Sequence, residues 1–140
     1  MDAESIEAAW PIESVPDADT VFIRVHQNIL DEGGGAISKG AFRYRDNGIG
    51  GPRRISCDWS KYSTQTECRF RATVPAENGV VSLVVGQVRA LKTSLLHEPL
   101  PHNRSHAGIG PEEDPAKETE IRLGLSRIAV LVVHPKDPLA

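Results

Sequence analysis

At 140 residues, with 39% hydrophobic and 25% charged side chains, the chain has the composition of one globular domain and too much apolar content for intrinsic disorder. Its formal charge of −3 excludes a nucleic-acid binder that works by overall basicity, so any grip on phosphate must come from a local cluster. No apolar run reaches the length of a membrane span, and Met1-Asp2-Ala3-Glu4 is acidic where a secretory signal would be basic; together these predict a cytoplasmic protein with no membrane partner.

Residues 1–19 carry Trp10 and a few aliphatic side chains among acidic ones and read as an N-terminal docking arm. Trp10 either covers the edge of this chain's own core or inserts into a protein partner. Thr20–His26 is the first strand, β-branched and aromatic, with Arg24 and His26 two residues apart and therefore on one face. Asp31–Gly35 is glycine-rich, but no helical pattern or lysine follows at the spacing of a phosphate-binding loop. Ser38–Arg45 and Arg53–Trp59 read as two more strands joined by the turn-rich segment 46–52. Ser60 is expected to cap a short helix running to about Cys68.

Gly79–Leu91, nearly continuous in valine and leucine, reads as a strand buried on both faces. Pro99 and Pro101 exclude a helix from their neighbourhood and place short extended pieces at a sheet edge or in a loop. The last element starts with Asp114 as cap and Pro115 in the first turn; Ile121, Leu125, Ile128, Ala129 and Val132 then recur at helical spacing until Pro135. Strands followed by a helix give an α+β class. The expected architecture is a mostly antiparallel sheet of about five or six strands, with a C-terminal amphipathic helix packed on it and one short middle helix. The divisions are the arm at 1–19, a single domain over 20–134 and a tail at 135–140.

Three histidines fall within His97–His106, the most chemically loaded stretch. In an extended chain, His102, Arg104 and His106 share one face. Such a trio suits phosphodiester or nucleotide chemistry, with His102 and His106 as base and acid and Arg104 clamping a phosphate. It suits anion binding without reaction equally well, with Arg24, His26 and His97 as further ligand contacts. A third reading has the histidines hydrogen-bonding locally at a sheet edge. The spacing of His97, His102 and His106 would gather a metal convincingly only on a helix, which the prolines exclude, so no metal is expected. Cys57 and Cys68 match no metal-hook spacing; two free thiols are favoured over the one disulfide they could form, and no motif implies a cofactor.

The middle of the chain interleaves Arg43, Arg45, Arg53, Arg54, Arg69 and Arg71 with Tyr44, Trp59, Tyr62 and Phe70. An arginine and aromatic sheet face stacks on nucleic-acid bases or anchors a protein partner. Trp10, Arg43, Arg45, Trp59 and Tyr62 are the partner-binding candidates.

The order of strand-borne Arg24, then Tyr62-Ser63-Thr64, then Glu118-Thr119-Glu120 is similar to that in the ADP-ribosyltransferases, and the resemblance implies group transfer on a nucleotide. The alternative for Glu118 is a salt bridge to Arg122, four residues on along a helix. The wider layout of Arg24, Ala41-Phe42-Arg43, Ile55-Ser56, Asn103–His106 and the final helix resembles short bacterial proteins of uncharacterised function. The leading expectation is a small accessory or recognition subunit of a bacterial multi-protein system, binding a protein partner or a phosphate-bearing ligand. The rival is a small toxin-like, histidine-dependent enzyme acting on RNA or a nucleotide.

Overall fold

Alternation along Thr20–His26 buries Val21, Ile23 and Val25 on one side and leaves Thr20, Phe22, Arg24 and His26 on the other, and this segment is β1 of a computed structural model that describes residues 10–30, 37–46 and 52–139. The remaining strands are β2 (Tyr44–Arg45), β3 (Arg54–Trp59), β4 (Asn78–Val84), β5 (Leu95–His97), β6 (His106–Ile109) and β7 (Val130–Val133). Among the described residues three α-helices accompany them: α1 (Gln65–Phe70), α2 (Val85–Arg89) and α3 (Pro115–Ile128). The protein is α+β. The seven strands of the described residues form one sheet in the order β5-β6-β3-β1-β4-β7, with β2 added to β3, and every pairing among them is antiparallel.

The main core lies on the face of Val21, Ile23 and Val25, where Ile55, Cys57, Trp59, Val81, Leu83 and Ile109 join them. Helix α3 covers this face through Ile121 and Leu125, and α2 contributes Val85 and Val88. Phe22 points the other way, into a smaller cluster with Cys68, Val80 and Val133. Helix α1, which carries Cys68, therefore lies on the opposite face, so the sheet is covered on both sides.

Several boundaries differ from expectation. The short middle helix begins at Gln65, not after Ser60, because Thr64 and Glu67 close a capping box around its first turn. The apolar run from Gly79 is a strand only to Val84. There the amides of Val85 and Gly86 turn to the carbonyls of Asp19 and Asp17, and the chain winds into α2. Helix α3 starts at Asp114 and Pro115 as read, but ends at Ile128; Val130–Val133 leaves it and pairs with β4. Ser38–Arg45 is strand only at Tyr44–Arg45, the 39–41 turn being a short 3-10 helix capped by Ser38. The glycine-rich loop at 31–35 and most of the 46–52 turn lie outside the described residues, as do residues 1–9 of the arm. Among the described residues, no helix is long and apolar enough to cross a membrane.

Candidate functional site

Strand β3 has β6 along one edge and shares the other between two strands. The β1 ladder ends at Phe22 opposite Asp58, and the β2 ladder begins at Ile55 opposite Tyr44. Beside Ser56 and Cys57 the two neighbours part, and a cleft of about 940 Å³ opens there. Its volume falls within the range of small-molecule sites, roughly 300–1,000 Å³. The lining includes Arg24 and His26 from β1, Arg43 and Arg45 near β2, Ser56 and Asp58 from β3, Arg71 at the end of α1, and His102, Asn103 and His106.

Asp58 organises the cleft floor. One carboxylate oxygen accepts from Asn103 Nδ2 at 2.9 Å and Ser105 Oγ at 3.2 Å. The other accepts from Arg71 at 3.0 Å and Arg24 at 3.4 Å. Burial on its own pushes the Asp58 carboxyl up, but hydrogen bonds from Asn103 and Cys68 and the charges of Arg71 and Arg24 outweigh it, so it titrates below the usual carboxylate range. Two guanidinium groups thus share one carboxylate and leave a positive charge on the cleft wall. Arg43 and Arg45 are exposed and add to it, while Asp46 and Glu77 are the further carboxylates lining the cleft. Glu77 accepts from His26 Nε2 at 3.2 Å, and His26 Nδ1 is occupied by the Asn28 amide.

His106 is held at both nitrogens: Nδ1 lies 2.9 Å from the Glu98 carbonyl oxygen and Nε2 lies 3.4 Å from Ser56 Oγ. His102 is exposed at the cleft. The structure therefore gathers Arg24, His26, Arg43, Arg45, His102 and His106 around one cavity.

The expected one-face trio of His102, Arg104 and His106 is not formed. Residues 101–105 turn rather than extend, closed by a bridge between Leu100 and Asn103, and β6 starts only at His106. The reversal sends Arg104 to the other side of the sheet, where its guanidinium stacks on Tyr62 at 4.1 Å and Trp10 at 4.7 Å and pairs with Glu13. His97 is also there, 2% exposed, with Nδ1 accepting from the Glu13 amide and Nε2 donating to the Arg104 carbonyl. Both ring nitrogens are spent on the chain itself, so His97 faces no ligand in this arrangement. Hydrogen bonds from Lys61 and Tyr62 hold the Glu13 carboxyl below its ordinary range and tie the arm down.

The expected arginine and aromatic face is likewise dispersed. Trp59 sits in the core at 1% exposure, edge-on to Tyr62 and His97, with its indole N–H given to Asp19. Tyr44 is buried, and Arg69 is turned inward onto backbone carbonyls. Trp10 lies against Arg104 of its own chain. Glu118 lies on α3, within 3.9 Å of Arg53. Among the described residues, no three His, Cys, Asp or Glu side chains converge as a metal site, and both cysteines are free and buried.

Ser56, Asp58 and Asn103 are the site residues that sequence reasoning missed. A signal for two of them was present: Ser56 and Asp58 alternate with Ile55, Cys57 and Trp59, which puts them on the non-core face of β3. Against known proteins, no family model, no curated protein and no solved structure matches this chain.

Proposed function

We infer that the chain is a small recognition domain that binds a phosphate-bearing ligand of nucleotide size in the cleft between β1 and β2, acting as an accessory subunit of a larger assembly. The observation that supports this reading is the excess of guanidinium over carboxylate among the described lining residues, Arg24, Arg43, Arg45 and Arg71 against Asp46, Asp58 and Glu77, with Arg24 and Arg71 sharing Asp58 and Arg43 and Arg45 exposed beside them. Arginine presents a planar fork of donors that matches phosphate oxygens, and a partly enclosed cleft strengthens each such contact relative to open solvent.

Calorimetric titration with adenosine monophosphate and with adenosine tests it. The nucleotide should bind and the nucleoside should not, binding should weaken as salt rises, and the doubly substituted R43E/R45E chain should lose at least tenfold in affinity. Equal binding of adenosine, or unchanged affinity in the double variant, would overturn the reading.

A second reading has His102 and His106 acting as acid and base on an RNA or nucleotide phosphate. Their joint presence in the cleft favours it, where the expected contribution of Arg104 would fall instead to Arg24 and Arg71.

A further inference from the structure

Resting on the phosphate-ligand reading of the cleft, we propose that Ser56 and His106 form a nucleophile–base pair that cleaves the P–O bond of a phosphate ester bound there. The Glu98 carbonyl oxygen can only accept a hydrogen bond, so the His106 nitrogen 2.9 Å from it, Nδ1, carries the proton. In the neutral ring Nε2 then presents its lone pair, and it faces Ser56 Oγ at 3.4 Å. A hydroxyl, a base within reach of it and a third group that fixes the base's tautomer are the parts of an activated serine. The separation is longer than the roughly 2.6–3.2 Å of a working proton transfer, so the reaction requires Ser56 and His106 to close by a few tenths of an ångström as the substrate binds.

The surroundings suit the chemistry. Ser56 lies where β1 and β2 part, so this edge of β3 opens on the cleft rather than on a strand. Asp58 follows two residues later on the same face, about 7 Å along the strand. The two guanidinium groups it holds line the same cleft as Ser56 and supply positive charge that favours a phosphoryl group gaining negative charge there.

In the first step Ser56 Oγ attacks phosphorus, its proton passes to His106 Nε2, the Oγ–P bond forms and the P–O bond to the leaving group breaks. His106 returns the proton to the departing alkoxide, giving the free alcohol and a phosphorylated Ser56. In the second step water attacks phosphorus and gives its proton to His106, which passes it to Ser56 Oγ as the Oγ–P bond breaks. The sum is hydrolysis of a phosphate ester by one water.

The test uses the full chain with diisopropyl fluorophosphate, read by intact mass and peptide mapping, and with p-nitrophenyl phosphate as substrate. A single adduct at Ser56 and release of nitrophenol are expected. Both should vanish in Ser56→Ala and slow at least tenfold in His106→Gln, with melting curves verifying that each variant folds. Should His106→Gln not fold, Ser56→Ala alone decides, since among the described residues the Ser56 hydroxyl has His106 as its one hydrogen-bond partner and its removal leaves the backbone ladder to β6 in place. Adenosine monophosphate binding to the wild-type chain without an adduct at Ser56 overturns the catalytic pair and leaves phosphate recognition standing. An adduct at Ser56 without nucleotide binding and without nitrophenol release overturns the phosphate-ester substrate, and with it this proposal.

Discussion

A buried carboxylate with four side-chain donors has few ways to lose its proton-free state, and Asp58 is such a group. Because its titration in the folded chain is depressed below the unfolded value, folding favours its ionised form. The sign follows: its stabilising contribution is complete above the unfolded carboxylate pKa, near 4, and is lost as pH falls through the lower folded value. Asp58→Asn should therefore cost roughly 2 kcal/mol at pH 7, since it leaves two guanidinium groups without a counter-charge. The gap between wild type and variant should narrow as urea unfolding is repeated towards pH 3. A gap that stays constant over that range would show that Asp58 is not ionised in the native state. The sequence places Asp58 on a strand face but says nothing of Arg71, Asn103 and Ser105, which reach it across 13, 45 and 47 residues. The same long reach explains Arg104: the turn that redirects it is held by Asn103 on Asp58, a contact with no local signature.

At the level of elements, the sequence reads well where periodicity is local and poorly where a neighbour decides. β1 was legible to the residue because alternation and β-branching agree over its whole length. The N-terminus of α3 was legible because Asp114 accepts from the Ala116 amide and Pro115 follows it, both matters of adjacent residues. Its far end was not, since Val130–Val133 continues the apolar pattern and only pairing with β4 makes it a strand. The end of β4 is set in the same way by carbonyls of Asp17 and Asp19, far off in sequence.

The join between β4 and β7 offers an element-scale test at Gly79. A Cβ there would lie 2.9 Å from Pro135 Cδ and closer still to the Val133 carbonyl oxygen, so the end of β7 packs against a bare Cα. Gly79→Ala should push the end of β7 away and cost roughly 2 kcal/mol. Hydrogen exchange should report it as lost protection at Leu131 and Val133, with β1 and β3 little changed. An unshifted urea midpoint would mean the contact relaxes freely.

For the molecule as a whole, the least expected feature is Arg69. Its basic character suggested a surface, yet it is 3% exposed and donates to four backbone carbonyls, those of Pro75, Asn78, Pro135 and Pro138. A guanidinium has enough donors in a fixed plane to join three separate stretches of chain; no other side chain does. Arg69→Met should therefore destabilise by about 3 kcal/mol or more, as several carbonyls lose their partner in a place water does not reach. Urea denaturation measures the loss, and the Asp137 amide, bonded to the His134 carbonyl in the wild type, should exchange faster in the variant. Wild-type rates in both would remove Arg69 as a clasp.

The position of that clasp ties distant parts of the protein together. Arg69 grips the carbonyls of Pro135 and Pro138, and two residues later the same helix ends at Arg71, the closer of the two cations on Asp58. The stretch around Pro138 is thus tethered to the cleft wall through a single side chain and two residues at the end of a helix. Displacing the stretch around Pro138 would therefore pull on the arginine that holds Asp58 from the far side of the cleft.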